Sequence, residues 1–302
     1  MRILNLARPE QSEIKYKISK FPDGQQQVNI LDRPQIFDIT DEQKWLVGLP
    51  IQIKARLNNF RDLELIACTV ASLRNLGIKE IHLYCPYFEG SRSDRQFEEG
   101  GNNYLKQVIC PIINSLNFES VTVLDPHSHV LEACLNNFKS INNSDLVCSA
   151  LEHFFGDNWN NNTVMISPDA GATHKIYKLA EQIGYKGNII TCTKERDNEG
   201  NLTKCVVPYK LDYFHPDKIV IDDICDGGAT FINIAKTLKS GPYETSKGKL
   251  YLVVTHGIFS KGFEELSQYF DGIYCTNSYS NITFPWNMKG YLGRNSNQLN
   301  VF

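Results

Sequence analysis

From about residue 59 the chain alternates stretches of helical and of strand-like hydrophobic period. In FRDLELIACTVASLRNLG, Leu63, Ile66, Val70 and Leu73 recur at helical spacing, and Gly77 supplies a stop. EIHLYCPYF is an apolar, β-rich run closed by polar EGSRSDR. NYLKQVICPIINSLN predicts a second helix, bent or divided at Pro111, whose nitrogen has no hydrogen to donate. SVTVLDPHS is strand again, ending in polar residues. Then the pattern restarts. TVMISPDAG reads as strand and turn, THKIYKLAEQIG as helix, and NIITCTKER as strand running into a charged loop. KIVIDD is a strand, TFINIAKTLK a helix, KLYLVVTHG a strand, KGFEELSQYF a helix and GIYCTNS a strand.

Strands alternating with helices predict an α/β protein with parallel sheets built from βαβ units. The restart predicts two tandem domains, 1–145 and 146–302, each a mostly parallel sheet flanked by helices. The boundary falls in the Asn-rich region near 140–160. Nearer the N-terminus, YKISKFPDGQQQVNI predicts two short strands around a Pro-Asp-Gly turn, and GPYETSKG at 241–248 a surface loop. In open α/β sheets, ligands sit beyond the carboxyl ends of the strands. Four predicted strand ends carry unusual chemistry: SRSDR, DPHSH, SPDAG and IDDICDGGAT.

Composition narrows the class. The 302 residues are 42% hydrophobic and 22% charged, with a formal charge of -3, so neither charge nor any long basic run points to nucleic acid. No apolar segment approaches the roughly 20 residues that span a bilayer, and MRILNLARPEQSE lacks the apolar core of a signal peptide. Nine cysteines form no CxxC pair and sit mostly inside apolar runs, as small buried hydrophobes of a reducing compartment do. The expectation is a cytoplasmic protein without membrane or nucleic-acid partners.

The stretch Lys218–Thr230, KIVIDDICDGGAT, carries the sharpest chemistry. Gly227 and Gly228 permit backbone geometry closed to other residues. They lead into a helix start, whose free N–H groups favour an anion. Asp222 and Asp223 upstream suit sugar hydroxyls or a divalent cation, so a ribose phosphate meets both needs. An isolated DxGG is more simply a helix cap with an acidic turn. Two adjacent aspartates ending a buried strand argue for more, because clustered charge is costly without a partner.

IVIDDICDGGAT resembles the phosphoribosyl-diphosphate loop of type I phosphoribosyltransferases. It is still more similar to its counterpart in the ribose-phosphate diphosphokinases, the PRPP synthetases. Other segments resemble that family's motifs in the same order. FPDGQ (21–25) looks like its ATP-base loop, PYFEGSRSDR (86–95) its Arg-x-Asp ATP segment, and LDPHS (124–128) its metal-binding histidine loop. SPDAG (167–171) resembles its second metal site and KER (194–196) its mobile catalytic loop, and THGIFS (255–260) also fits. Each has a plainer reading: Phe21 as core, Arg92 and Asp94 as a surface ion pair, His127 as a satisfied strand-end residue, TKERDNEGNLTK as a solvated loop. His129, His153 and His215 are read as structural.

The resemblance implies two phosphoribosyltransferase-like domains and transfer of a diphosphoryl group from ATP to the anomeric hydroxyl of ribose 5-phosphate, releasing AMP. It implies that Lys194 and Arg196 stabilise the transferring group and that His127 and Asp169 hold Mg2+ with ATP. Asp222 and Asp223 would grip the ribose hydroxyls, directly or through a second Mg2+, and Asp226, Gly227, Gly228, Ala229 and Thr230 would cradle the 5-phosphate. Phe21, Asp23, Gln25, Arg92, Ser93 and Asp94 would serve ATP. The family places Phe21 and Asp23 on a neighbouring subunit, which implies a homo-oligomer.

The chain departs from the family at several of these positions. Gln25 stands where the adenine loop usually has Glu, Ser93 replaces the Gln of Arg-Gln-Asp, and Pro126 replaces a Leu. The phosphate loop usually reads Asp-Thr-x-Gly-Thr but is Asp226-Gly227-Gly228-Ala229-Thr230 here, so one threonine hydroxyl is absent. Such drift resembles divergent, phage-encoded members, for which the compartment is the host cytoplasm. It keeps a second acceptor open: ADP-ribose, whose 5-phosphate is esterified onward, giving a diphosphate used in NAD metabolism rather than nucleotide synthesis. A non-catalytic regulatory relative is the binding-protein alternative. Such proteins commonly lose the loop cations or metal ligands, and Lys194, Arg196, His127 and Asp169 are all present.

Overall fold

Apolar runs separated by amphipathic helices build a parallel sheet in each half of the chain. The computed structural model describes residues 1–32, 49–156, 159–160, 163–196, 202–207, 217–239, 248–282 and 290–292; for 194–196, 202–205 and 290–292 it describes the backbone only. His215 and positions 241–247 of the expected surface loop lie outside the described residues. The chain forms two compact units, Met1–Asn142 and Asn143–Val301.

The first unit opens with β1 (Arg2–Asn5), then β2 (Tyr16–Lys20), β3 (Gln26–Ile30) and β4 (Ile51–Lys54). Next come α1 (Phe60–Asn75), β5 (Ile81–Tyr84), α2 (Cys110–Ser115), β6 (Ser120–Leu124), α3 (Val130–Cys134) and β7 (Phe138–Ile141). Its five-stranded sheet runs β1-β4-β5-β6-β7, all parallel, while β2 and β3 form an antiparallel ribbon. RILN, IQIK and FKSI are too short for a two-residue period to stand out, and only their pairing makes them strands. α1 starts at a capping box in which Asn59 Oδ1 accepts from Arg61 N at 2.9 Å, a cap that contributes about 1 kcal/mol. Its buried stripe is Leu63, Ile66, Thr69, Val70 and Leu73. The helix around Pro111 is not broken but changes its hydrogen-bond pattern there: Cys110 N donates five residues back to Leu105 O, a π-helical widening just ahead of the proline.

The second unit runs α4 (Ser144–Phe155), β8 (Thr163–Ser167), α5 (Thr173–Ile183), β9 (Asn188–Thr191), β10 (Thr193–Arg196) and β11 (Leu202–Val206). β12 (Asp217–Cys225), α6 (Ala229–Leu238), β13 (Leu250–Gly257), α7 (Glu264–Tyr269), β14 (Gly272–Thr276) and β15 (Gly290–Leu292) follow. The sheet order is β15-β14-β13-β12-β8-β9, again parallel throughout. Two expectations are corrected here. TKER is not loop but β10, paired antiparallel with β11, because strand hydrogen bonds override its charged composition. KIVIDD does not end at its aspartates: β12 continues to Cys225, since pairing with β13 extends to Cys225↔Gly257.

β12 is covered on both faces. Met165, Ile219, Ile221 and Val253 pack with Leu151, Ile176 and Leu179 in one apolar core, where Phe154 also stacks on Tyr251 with 4.2 Å between ring centroids. Val164, Val220, Leu252 and Val254 pack with Phe231, Ile234 and Leu266 in the other. Each such side chain contributes roughly 1.5–3 kcal/mol on burial. The double cover explains the near-continuous apolar text of these strands and leaves side-chain parity to decide where each aspartate points.

Candidate functional site

β12 lies between β8 and β13, so the segments that end these three strands gather at one edge of the second sheet. Ile219 and Ile221 face the core that holds α5, and the two-residue period carries Asp223 to that same side. There the carboxylate, buried to 6% exposure, meets Lys175 of α5, with 2.9 Å between Nζ and Oδ2. Asp222 is half-buried, and its Oδ1 accepts from Asp223 N at 2.9 Å. The two aspartates therefore differ: Asp223 is committed to a cation, whereas Asp222 lies nearer solvent.

Beyond Cys225 the chain turns through Asp226 and Gly227 into α6. Gly228 sits at φ +80°, and a Cβ there would approach Leu266 Cδ2 at 3.1 Å, so glycine is required by backbone and packing alike. No side chain caps α6 among the described residues, and the first bond of the helix is Ile232 N to Gly228 O at 3.0 Å. The N–H groups ahead of it are left facing the turn, where the helix dipole favours an anion. A Cβ at Gly227 would lie 3.4 Å from Cδ and Cε of Lys261, so the space freed at this position holds a lysine stem.

The turn after β13 is fastened to the same corner. Ile258 N and Phe259 N both donate to Cys225 O, at 2.8 and 3.1 Å, with Phe259 at φ +49°. Deeper, His256 and Ser278 are buried, with His256 Nδ1 and Ser278 Oγ 2.8 Å apart; the hydroxyl also donates to Thr255 O at 3.2 Å. With its hydrogen so used, Ser278 Oγ accepts from a protonated Nδ1, and the pair braces the strand ends. Burial first, then the nearby Asp222 and Asp226 carboxylates, pushes the Cys225 thiol well above the ordinary range, so it stays protonated.

Asp169 follows β8. Its Oδ1 accepts from Ala172 N at 2.9 Å and its backbone oxygen accepts from Ser167 Oγ, which shapes the entry to α5 and puts Lys175 on the side of Asp223. Lys194 and Arg196 lie on the β10–β11 ribbon, opposite Cys205 and Leu202, with a register shift between Glu195 and Arg196.

In the first unit the expected residues fall on two features. Phe21, Asp23 and Gln25 form the tip of the β2–β3 ribbon: Phe21 N donates to Gln25 O at 2.9 Å, and Asp23 Oδ1 accepts from Gln25 N at 3.2 Å. Phe21 is not core but 47% exposed. Strand β3 is tied to α1 beside this tip, with Gln26 N donating to Glu64 Oε1 at 3.0 Å and Ser72 Oγ to Val28 O at 2.7 Å. Arg92, Ser93 and Asp94 come after β5, with Ser93 O accepting from Leu105 N and Asp94 O from Asn103 Nδ2. His127 follows the neighbouring strand β6 and is exposed, because Asp125, at φ +39° and buried, turns the chain sharply before it.

His127 lies in the first unit and Asp169 in the second, and among the described residues no three His, Cys, Asp or Glu side chains gather as a metal cage. A single carboxylate such as that of Asp169 is a donor of the kind Mg2+ takes, since the ion keeps water and phosphate oxygens rather than a full protein cage. Lys175 and Lys261 were not found by sequence reasoning. The one signal was that adjacent aspartates need a countercharge, which does not say which lysine supplies it.

No protein-family model matches the chain. A ribose-phosphate pyrophosphokinase of Pyrococcus abyssi is 25% identical over 268 residues, covering 88% of this chain and 84% of that protein. Its counterpart in Pyrococcus furiosus is 25% identical over 280 residues, covering 90% and 91%. In fold, the chain is similar to the crystal structure of phosphoribosylpyrophosphate synthetase from Mycobacterium smegmatis, with a TM-score of 0.76, 16% identity, and 96% and 94% coverage.

Proposed function

The chain belongs to the ribose-phosphate pyrophosphokinase family of ATP-dependent diphosphotransferases, and from that premise we propose that it makes PRPP from ribose 5-phosphate and ATP, releasing AMP. The observation that carries the reading is the corner at the end of β12, where a half-buried carboxylate, an uncapped helix start and two glycines adjoin. Asp222 accepts hydrogen bonds from the ribose hydroxyls. Asp223 pairs with Lys175 and holds the strand end in place. Asp226 to Thr230 surround the 5-phosphate with backbone N–H groups.

In the reaction, the anomeric oxygen bonds to the β-phosphorus of ATP, the α,β-bridging bond breaks, and AMP leaves in line with its oxygen. The proton of the anomeric hydroxyl passes to solvent. Such a transfer asks the protein for position and positive charge. Lys194 and Arg196 supply that charge from strand β10, which pairs antiparallel with β11. His127 in the first unit and Asp169 in the second would each offer a donor to the Mg2+ that comes with ATP, and the ion would neutralise phosphate charge. Arg92, Ser93 and Asp94 contact the nucleotide. The exposed Phe21, with Asp23 and Gln25, supports a ribbon tip that serves the ATP site of a second copy in a homo-oligomer. Domains 1–145 and 146–302 divide this labour between nucleotide and sugar. No described helix is long and apolar enough to cross a membrane.

Absence of a hydroxyl at Gly227 favours a second acceptor, ADP-ribose, whose 5-phosphate carries less charge and needs fewer donors. The test is AMP release from ATP and Mg2+ with each acceptor offered separately, products identified by mass. AMP with ribose 5-phosphate supports PRPP synthesis. AMP with ADP-ribose alone replaces it by the second reading, and AMP with neither makes the protein a non-catalytic relative.

A further inference from the structure

We propose that Lys261 is a specificity-determining residue of the acceptor site, its ammonium binding the 5-phosphoryl group in place of the hydroxyl that Gly227 lacks. The inference rests on the reading of Asp226–Thr230 as the phosphate cradle. Its evidence is the fixed approach of one segment to another. The turn at 258–262 is bound to the last residue of β12 through the paired bonds of Ile258 N and Phe259 N to Cys225 O, and Gly262 N closes it on Phe259 O at 2.9 Å. Phe259 is buried at 8% exposure, its ring 4.6 Å from that of Phe263. On the other side, Leu266 packs against Gly228. These anchors hold the backbone of Lys261 beside the cradle.

Its stem then lies along Gly227: a Cβ at that glycine would be 3.4 Å from Cδ and Cε and 3.5 Å from Cγ of Lys261. The ammonium is one bond beyond Cε and makes none of the ion pairs found among the described residues. An anion held by the N–H groups at the start of α6 is therefore within its swing. A lysine adds a full charge where a hydroxyl adds a dipole, and its long stem lets it follow a phosphoryl group that is either terminal or esterified onward. A Cβ at 227 would only touch the stem at ordinary van der Waals distance, so the glycine leaves the lysine room to move along the cradle.

The test compares wild type with Lys261→Met, which keeps an apolar stem over Gly227, and with Lys261→Arg. Calorimetric titration of the ATP-free protein uses ribose 5-phosphate, ADP-ribose and plain ribose. In Lys261→Met the Kd of the bound sugar phosphate is expected to rise about tenfold, about 1.4 kcal/mol. Ribose titrations should be the same in both proteins, and Lys261→Arg should recover most of the affinity. In turnover, KM for the acceptor rises with kcat within about twofold, because the phosphate is remote from the reacting oxygen, and KM for ATP is unchanged. Equal sugar-phosphate affinities in wild type and Lys261→Met overturn the proposal, even if AMP is released normally. Sugar-phosphate binding that weakens in Lys261→Met without AMP release from wild type upholds it and overturns only the reaction. A wild type that binds neither sugar phosphate overturns both.

Discussion

Replacing Lys175 by Met should expose how far the acceptor corner depends on one buried charge pair. The substitution keeps the stem that α5 packs against β12 but removes the cation 2.9 Å from Asp223 Oδ2. Breaking a fully buried pair costs about 3–5 kcal/mol, because the surviving charge is stranded. Here the lysine side chain is 33% exposed while that of Asp223 is 7% exposed, so water reaches only one partner and the expected loss is nearer 2 kcal/mol. Asp223→Asn strands no buried charge, since Lys175 can turn to solvent, and should lose about 1 kcal/mol. Once Asp223 is Asn, Lys175→Met should add little. A double-mutant cycle by urea unfolding, followed by circular dichroism, should then give a coupling energy of about 1–2 kcal/mol. Additivity within about 0.5 kcal/mol would show the pair to be incidental and refute the separation of roles between Asp222 and Asp223. In the active protein, both single variants should raise KM for the acceptor, as Asp223 ceases to hold the strand end.

Three further outcomes are expected. Burial raises the Glu89 carboxyl above its ordinary value, a hydrogen bond from Tyr104 only partly offsetting it, and one carboxylate oxygen is buried with no hydrogen-bond partner among the described residues. A raised folded-state pKa means that this group's stabilising contribution is complete below about pH 4.3 and lost as pH rises through the folded value. Glu89→Gln should therefore melt higher than wild type at pH 7 and about equally at pH 4, and the reverse order would contradict the sign. Lys194→Ala should lower kcat about 100-fold or more with little change in ATP affinity by calorimetry; unchanged turnover would remove the ribbon from the reaction. His127→Ala should shift the Mg2+ titration of AMP release to higher concentration, and a superimposable curve would exclude it from the metal site.

Much of the fold was legible because its signals are local. Leu63, Ile66, Val70 and Leu73 give a helix wherever one apolar face is buried, and a doubly covered strand such as β12 reads as continuous apolar text. Where composition pointed one way and long-range pairing the other, pairing won. TKER became strand β10 through bonds to β11, and RILN became β1 by lying beside Ile51–Lys54, some 50 residues on. The Asn-rich region taken for a plain boundary contains α4, whose Leu146, Val147, Ala150 and Leu151 are buried against the second sheet.

The candidate site divides in the same way. By itself the sequence determined which residue types gather at the strand ends, because carboxylates and glycines after apolar runs are read along the chain. It also determined that adjacent aspartates need a positive partner. Only the tertiary structure decided that Asp223 takes Lys175 while Asp222 stays nearer water, since strand parity and the placement of α5 are set by packing. Only it decided that the space at Gly227 holds Lys261, 34 residues further along. Coulombic pairing and close contact act through space, so a partner distant in sequence leaves no trace in the text on either side of the residue it serves.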